Sequence, residues 1–251
     1  MKKRIPLLLF FCSCLFFLSA QPSEKDNVGG ALLVNITYAF QIPSGDLVNR
    51  FGSSGAIGGG VEYMTGKHNL ILGFESYYFF GNTVKEDVLI GLRGIDNQII
   101  GNNRTFAQVQ LREGGFYLGG SIGKLFPLSA SNRRSGIRLT VGAGFLQHKI
   151  RVLDDSRSVI QIDDIYVKGY DRLSNGLALN QFIGYQYLSK NRRINLTIGF
   201  EFTQAFTESR RDFDFQMMAK DDRKRTDLLN GIKIGWTLPF YIGEDPDTKF
   251  Y

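Results

Sequence analysis

The chain has 251 residues, and its 30 Lys and Arg residues against 24 Asp and Glu residues give a net charge of +6. Lys2, Lys3 and Arg4 open a predicted secretory signal over residues 1–20, so the remainder carries 27 basic and 24 acidic residues, a net charge of +3. This small excess gives no support for nucleic-acid binding. Cys12 and Cys14 also lie in the signal, which leaves the predicted mature chain without a disulfide, a thiol nucleophile or a cysteine metal site.

The signal is predicted from its three parts in order. The basic residues are followed by an apolar run from Ile5 to Leu18, and Ser19 and Ala20 precede the expected cleavage site. The core of this run is too short for a membrane helix, which needs about 20 apolar residues, and no later segment is long enough. If the protein resides in a membrane, it must cross it with strands. Residues 21–30 are predicted to form a periplasmic N-terminal segment.

Eight segments after residue 30 alternate large apolar side chains with small or polar ones. A period of two is typical of a strand with two different faces. The pattern of the fourth segment extends back as far as Phe106, and Leu33, Gln181 and Phe182 break the alternation. The segments cover residues 31–40, 57–63, 70–80, 116–123, 137–145, 177–187, 194–206 and 231–240.

The connections alternate in length. Long ones cover residues 41–55, 81–105, 147–175 and 207–227, whereas the others are short or moderate, such as the turn Thr65–His68 and the connection containing Pro127 and Asn132–Arg134. Short periplasmic turns and long external loops are typical of outer-membrane barrels. We therefore predict an all-β, eight-stranded antiparallel up-and-down transmembrane β-barrel over residues 31–241, with a tail at 242–251 and both termini in the periplasm.

Aromatic residues cluster near the predicted strand ends, where their amphipathic rings favour the headgroup level of a bilayer. The outer girdle is predicted to contain Tyr38, Phe40, Tyr78, Phe80 and Phe206, and the periplasmic girdle Tyr63, Tyr185, Tyr187, Trp236 and Phe240.

Five charged side chains have the phase of the opposite, lumenal face: Glu62, Glu75, Arg138, Glu201 and Lys233. The interior of an eight-stranded barrel is just wide enough to be filled by side chains. We therefore expect these residues to pair in a packed plug. The alternative is a gated pore or a proton path.

Three further features allow chemistry in principle. His148 has inward phase near the outer end of the fifth strand, where barrel acyl-chain enzymes could place a base, but no serine or carboxylate motif accompanies it. Arg210 and Arg211 are candidates for contact with lipopolysaccharide phosphates. Acidic loop residues could hold calcium, although no known calcium-loop spacing is present. We predict no enzyme activity, cofactor or metal site; the acidic residues are Asp154, Asp155, Asp163, Asp164, Asp212, Asp214, Asp221 and Asp222.

The C-terminal pattern of a polar residue and glycine followed by alternating apolar positions resembles the assembly signal of Gram-negative outer-membrane barrels, although a tail follows it here. The residues that carry this resemblance are Asn230, Gly231, Ile234, Trp236, Leu238 and Phe240. The mature chain resembles the small eight-stranded barrels of the OmpA, OmpX and OmpW kind. Runs such as Lys168–Leu173 and Gly235–Pro239 look like barrels of Bacteroidota.

This resemblance implies a structural or interaction role in envelope integrity, adhesion or an envelope complex, including an accessory subunit of a type IX secretion apparatus. An OmpW-like narrow channel for small molecules is the alternative. The implied partners are outer-membrane lipid, lipopolysaccharide, the barrel assembly machinery during biogenesis and an envelope or secretion complex.

Overall fold

The computed structural model describes residues 29–163, 165–190 and 193–242. They form a closed barrel of eight strands, in which consecutive barrel strands are antiparallel neighbours and the last pairs with the first. The prediction of an eight-stranded antiparallel up-and-down barrel is confirmed. The predicted signal, most of the predicted N-terminal segment and all of the predicted C-terminal tail except Ile242 lie outside the described residues.

The barrel strands are long, and one two-stranded sheet lies outside the barrel. The strands are β1 Gly30–Gly45, β2 Ser54–Met64, β3 Leu70–Gly81, β4 Ile99–Ile100, β5 Phe106–Ala107, β6 Val109–Ser129, β7 Asn132–Asp154, β8 Ser174–Leu188, β9 Asn195–Ser209 and β10 Lys224–Ile242. The barrel closes in the order β1-β10-β9-β8-β7-β6-β3-β2. Short 3-10 helices in the connections cover Leu47–Asn49, Ile90–Leu92, Ile160–Ile162 and Tyr166–Gly169.

β6 and β7 are much longer than predicted. The sequence prediction was wrong at Pro127 and Asn132–Arg134, which belong to the strands. Phe106, the earliest start allowed for the fourth segment, pairs with Ile100 in the small β4–β5 sheet, and β6 begins three residues later at Val109. At the other end of the hairpin the alternation continues with the opposite chemistry: Lys149 is exposed and Ile150 is buried. A search for apolar outward positions misses this part because its outer surface is charged.

The register sets the barrel's dimensions. Partner positions traced once around the barrel, from Ala31 through every strand, return to β1 at Gln41, which gives a shear of ten residues over eight strands. Strands must tilt to close with such a stagger. A barrel of this size has room in its interior for side chains but not for an open channel.

The interior is layered. An apolar cluster fills the end of the barrel that carries the long loops, here called the outer end. There Leu47 and Phe51 of the first loop pack with Phe79, Leu146 and Ile150 of the wall. A smaller apolar cluster closes the opposite end; it contains Leu33, and this contact explains the exception in the first strand's alternation. The members of this second cluster are Ala31, Leu33, Met64, Ile71, Leu125 and Leu188. Polar side chains occupy the level between the two.

The outside of the barrel wall is predominantly apolar. All ten predicted girdle residues are exposed there, together with a band of aliphatic residues that includes Ile36, Leu72, Val141 and Ile198. No helix among the described residues is long and apolar enough to cross a membrane. Outward apolar and inward polar side chains on the same strands are the distribution expected when lipid surrounds a barrel.

If the outer wall contacts lipid, Ile198→Arg will destabilise the barrel by about 2–4 kcal/mol, since a cation near the bilayer midplane loses its hydration. Folding in lipid vesicles, followed by urea titration and heat-modifiable gel mobility, measures the change. Ile95→Arg, at a fully exposed position in the second long loop, is the matched control. Equal stability of the two variants would contradict a lipid-facing wall.

Candidate functional site

The centre of the lumen contains a charged belt, defined as Glu62, Glu75, Arg138, Glu201 and Lys233. All five side chains point inward, and none is more than partly exposed. Lys233 Nζ on β10 lies 2.8 Å from Glu75 Oε2 on β3 and 2.7 Å from Glu201 Oε1 on β9. One ammonium therefore joins its neighbouring strand to a strand on the other side of the lumen.

Arg138 forms the second part of the belt. Its guanidinium on β7 is paired with Glu62 on β2, and its Nη1 donates to Gln186 Oε1 at 3.0 Å. Both members of the ion pair are almost completely buried. A buried ion pair contributes little net stability, but removal of either partner is costly because the remaining charge has no compensation.

Aromatic rings fill the space beside these charges. Phe182 lies 5.9 Å from both Arg138 Cζ and Lys233 Nζ, within cation–π range. Tyr77 and Tyr117 stack with their centroids 4.9 Å apart. Phe182 was not assigned to the lumen from the sequence because this residue breaks the alternation. A large ring at an inward position of a strand could have indicated that it packs beside the lumenal charges.

Little empty space remains at the centre. The cavity between the charged belt and the surrounding strands has a volume of about 30 Å³. A buried water needs roughly 10–15 Å³ of such volume, so the cavity accommodates about two waters. With apolar clusters above and below it, this lumen is a plug.

His148 lies in the outer part of the barrel interior and is completely buried. Its Nε2 is 2.9 Å from Asp227 Oδ2, which also accepts a hydrogen bond from Thr207. The edge of Phe51 meets the imidazole ring, with centroids 5.7 Å apart and planes at 89°. Because a general base must reach a substrate proton, this closed position favours an interlock between strands and the first loop over a catalytic role.

Ion pairs connect the outer loops to each other. Glu86 of the second loop accepts from Arg50 of the first loop at 3.0 Å and from Arg172 of the third loop at 2.9 Å. Arg172 also pairs with Asp214 of the fourth loop. A network with shared members loses less side-chain freedom per contact than isolated surface pairs, which are worth little. These ion pairs connect the four long loops over the outer end of the barrel into one layer, here called the cap.

The proposed lipopolysaccharide contacts are already engaged within the protein. Arg210 pairs with Glu208 at 2.7 Å and donates to Asn175. Arg211 Nε donates to Asp171 Oδ1 at 2.8 Å. Contact with a lipid phosphate would have to share or replace these carboxylate partners.

Two of the acidic loop residues, Asp154 and Asp221, are likewise engaged; Asp164 lies outside the described residues. Asp154 accepts hydrogen bonds from Ser156 and from the backbone of Val159. Against the opposing effect of burial, hydrogen bonds from Arg223 and Arg225 hold the pKa of Asp221 well below its usual range. In the part of the chain that the structure describes, no group of three or more acidic, histidine or cysteine residues could hold a metal ion.

The residues of the resembled assembly signal lie on the closing strand. Asn230 and Gly231 pair with Ile42 and Gln41 of β1. The four apolar members, Ile234, Trp236, Leu238 and Phe240, are exposed on the outer wall. This part of β10 therefore contributes both the closing backbone pairs and a continuous apolar stripe.

The cap contains an open cleft of about 710 Å³, here called the outer cleft. Among the residues that the structure describes, its lining is apolar, aromatic or carboxamide and contains no charged residue. The lining residues include Val88, Leu92, Tyr170 and Phe215 at less exposed positions, and Ile90, Ile160, Tyr166 and Met218 at exposed ones.

No family model matches this sequence, and no curated protein is similar to it. Among solved structures, the chain is similar to Ail, the attachment invasion locus protein of Yersinia pestis, in a complex with the heparin analogue sucrose octasulfate. The identity is 15%, the alignment covers 85% of this chain and 100% of that chain, and the TM-score is 0.39. The class of the fold, an eight-stranded up-and-down barrel, is given by the strand pairing itself.

Two further similarities have lower scores. The N-terminal β-barrel domain of Pseudomonas aeruginosa OprF is 10% identical, with 82% of this chain and 96% of that chain covered and a TM-score of 0.37. The TodX deltaS2S3 mutant, a monoaromatic hydrocarbon channel, is 6% identical, with 85% and 91% covered and a TM-score of 0.26.

Lys233→Met tests the charged belt. The change leaves Glu75 and Glu201 without their cation, so we expect a loss of about 3–5 kcal/mol in the free energy of unfolding, measured by urea titration in vesicles. Lys224→Met removes an exposed lysine from the same strand and should change stability by less than about 0.5 kcal/mol. A Lys233→Met barrel as stable as the control would contradict the role of the belt.

Glu113 gives a pH prediction. It lies on β6 beyond Phe116, at the level of the outward Lys149 and Arg151, and burial raises its pKa to about 8. An unfolded glutamate titrates near about 4.3. At pH values between these two pKa values, the folded state keeps a proton on Glu113 that the unfolded state has lost. The contribution of Glu113 to the free energy of unfolding therefore falls as the pH rises through this range.

Glu113→Gln removes that dependence while preserving shape. The variant should match the wild type in urea resistance near pH 4 and exceed it near pH 8. Glu208→Gln, which changes a partly exposed carboxylate paired with Arg210, is the control. Parallel stability profiles for Glu113→Gln and the wild type across this range would rule out the buried neutral carboxyl.

Proposed function

We propose that this protein is a bacterial outer-membrane β-barrel with an interaction role, in which the outer cleft receives an uncharged, apolar surface of a partner protein. The observation that carries the proposal is the presence of this cleft on a joined, ion-paired cap above a closed lumen. Exposed apolar patches on an otherwise charged surface are typical of interaction sites.

The outer wall supports the membrane location. Its outward apolar band and the aromatic residues at both strand ends match the solvent of a bilayer, and the predicted signal would direct the chain through the inner membrane. In this orientation the long loops face the outside of the cell, and the first and last residues of the barrel lie at its periplasmic end. Lipopolysaccharide then surrounds the wall, and the β10 pattern serves the barrel assembly machinery.

The filled lumen favours interaction over the alternative of a narrow channel. Solute passage would require displacement of the charged belt and of both apolar clusters, including Phe51 and Leu33. Such a rearrangement exposes buried charges and apolar surface together, at a large free-energy cost. The outer face, by contrast, is accessible without any movement.

The chemistry of the outer cleft indicates the partner. The fourth loop is rich in both signs of charge, yet Asp221 pairs with Arg223 and Arg225, and Asp214 pairs with Arg172 of the third loop. Phe215 and Met218 of the same loop line the cleft. Ile160 and Tyr166 are more than half exposed at the rim, at 62% and 57%. A charged ligand would be desolvated here without a counter-charge, so an apolar protein surface fits best. An accessory position in an envelope or secretion complex agrees with this requirement.

Site-specific photocrosslinking in intact cells tests the proposal. A benzophenone amino acid at Tyr166 should give one discrete protein adduct, whereas the same probe at Ile95, an exposed position outside the cleft lining, should not. Ile160→Asp, which places a charge at the rim, should abolish the Tyr166 adduct, while Ile95→Asp should leave it unchanged.

Each other outcome contradicts the proposed site. Adducts only with lipopolysaccharide would replace the protein partner with a lipid, and equal adducts at both probe positions would indicate contact without a site. If the discrete adduct is identified as a translocon component, the secretion-accessory form of the proposal is supported; another envelope protein would select a different complex.

A further inference from the structure

The outer wall has a depression on one side, here called the lateral groove. It has a volume of about 600 Å³ and lies across β3, β6, β7 and β8. Gly120 and Ala143, which are directly paired, leave its centre without large side chains. A side-chain carbon added at Gly120 would meet only one backbone oxygen, at 3.7 Å, so this glycine is not required by crowding within the barrel.

Gln181 lines the same groove and interrupts the apolar band. It is an outward residue of β8, between Leu179 and Ile183, and its strand partners are Val141 and Phe202. Among the described residues, no hydrogen bond to its side chain is present. A carboxamide in hydrocarbon without a partner costs several kcal/mol, and lipid chains offer neither donors nor acceptors. A partner at this position must therefore supply both a hydrogen-bond donor and an acceptor.

We propose that the protein self-associates in the membrane through the lateral groove, with the Gln181 carboxamides of two copies hydrogen-bonded to each other. A carboxamide carries both a donor and an acceptor, so it is complementary to a second copy of itself. A two-fold axis along the membrane normal keeps both copies at the same depth, as an isologous interface in one membrane requires.

The small residues make the approach feasible. Membrane interfaces are enriched in glycine and alanine because they let backbones come close, and polar side chains then hydrogen-bond across the contact. With the axis beside β7 and β8, Ala143 of each copy lies near the centre and Gln181 beside it. The inference rests on the proposed membrane location but is independent of the outer cleft.

Disulfide trapping tests the contact. The cysteines at 12 and 14 lie in the predicted signal, so Ala143→Cys would introduce the sole thiol of the mature chain. Oxidation in native membranes should give a crosslinked dimer of the full chain. Ile36→Cys is the matched control: it is an exposed aliphatic position on β1, four strands away from β7 in either direction, and should remain monomeric.

The role of the carboxamide is tested in the uncrosslinked protein. Fluorescence energy transfer between labelled copies in vesicles should show that Gln181→Leu weakens association by roughly three- to thirty-fold. Gln204→Leu should leave association unchanged, because this outward glutamine of β9 lies outside the groove and only two residues from Phe206 of the outer girdle, where its carboxamide can reach the headgroup level. Heat-modifiable mobility verifies that each barrel is folded.

A monomeric Ala143→Cys barrel that folds normally would overturn the proposal, and would mean that lipid fills the groove. Equal effects of Gln181→Leu and Gln204→Leu would overturn the role of Gln181. Ile160→Asp separates this inference from the proposed function: it should abolish the partner adduct at Tyr166 without changing the disulfide-linked dimer.

Discussion

The volume inside an eight-stranded wall is the constraint on which the rest of this structure depends. A shear of ten residues closes the sheet around a space that side chains fill. Every inward residue must therefore pack against another inward residue, and every inward charge must find its opposite. The layered lumen satisfies this constraint, with apolar clusters at both ends and the charged belt between them.

The charged belt also connects strands on opposite sides of the barrel. Lys233 joins β10 to its neighbour β9 and, across the lumen, to β3, while Arg138 on β7 reaches Glu62 on β2. The pairs of Lys233 with Glu75 and of Arg138 with Glu62 link strands that share no backbone hydrogen bonds. These two pairs restrict which register the sheet adopts, since a slip of one residue would turn the inward charges of a strand to its outer face.

The fold could be predicted from the sequence because the outer wall and the lumen have opposite chemistry at alternate residues. The central part of each strand was visible for this reason. The extension of β6 and β7 was not, because Arg151 and Ile150 alternate there with the charge outward, which reverses the apolar-outward pattern. The inward phase of the charged residues could also be read from the alternation, but their specific pairing could not: it depends on the shear, which no single strand encodes. The outer cleft was invisible too, since it joins residues from three separate loops.

These features together describe a static core with its accessible chemistry on the outside. The ion pairs among Arg50, Glu86, Arg172 and Asp214 hold the loops over the barrel, and the outer cleft is built on that cap. Single-channel recording in planar bilayers tests the filled lumen most directly. We expect no stepwise ion current from the folded protein across ordinary voltages. Regular single-channel current steps from a barrel verified to be folded would contradict the filled lumen.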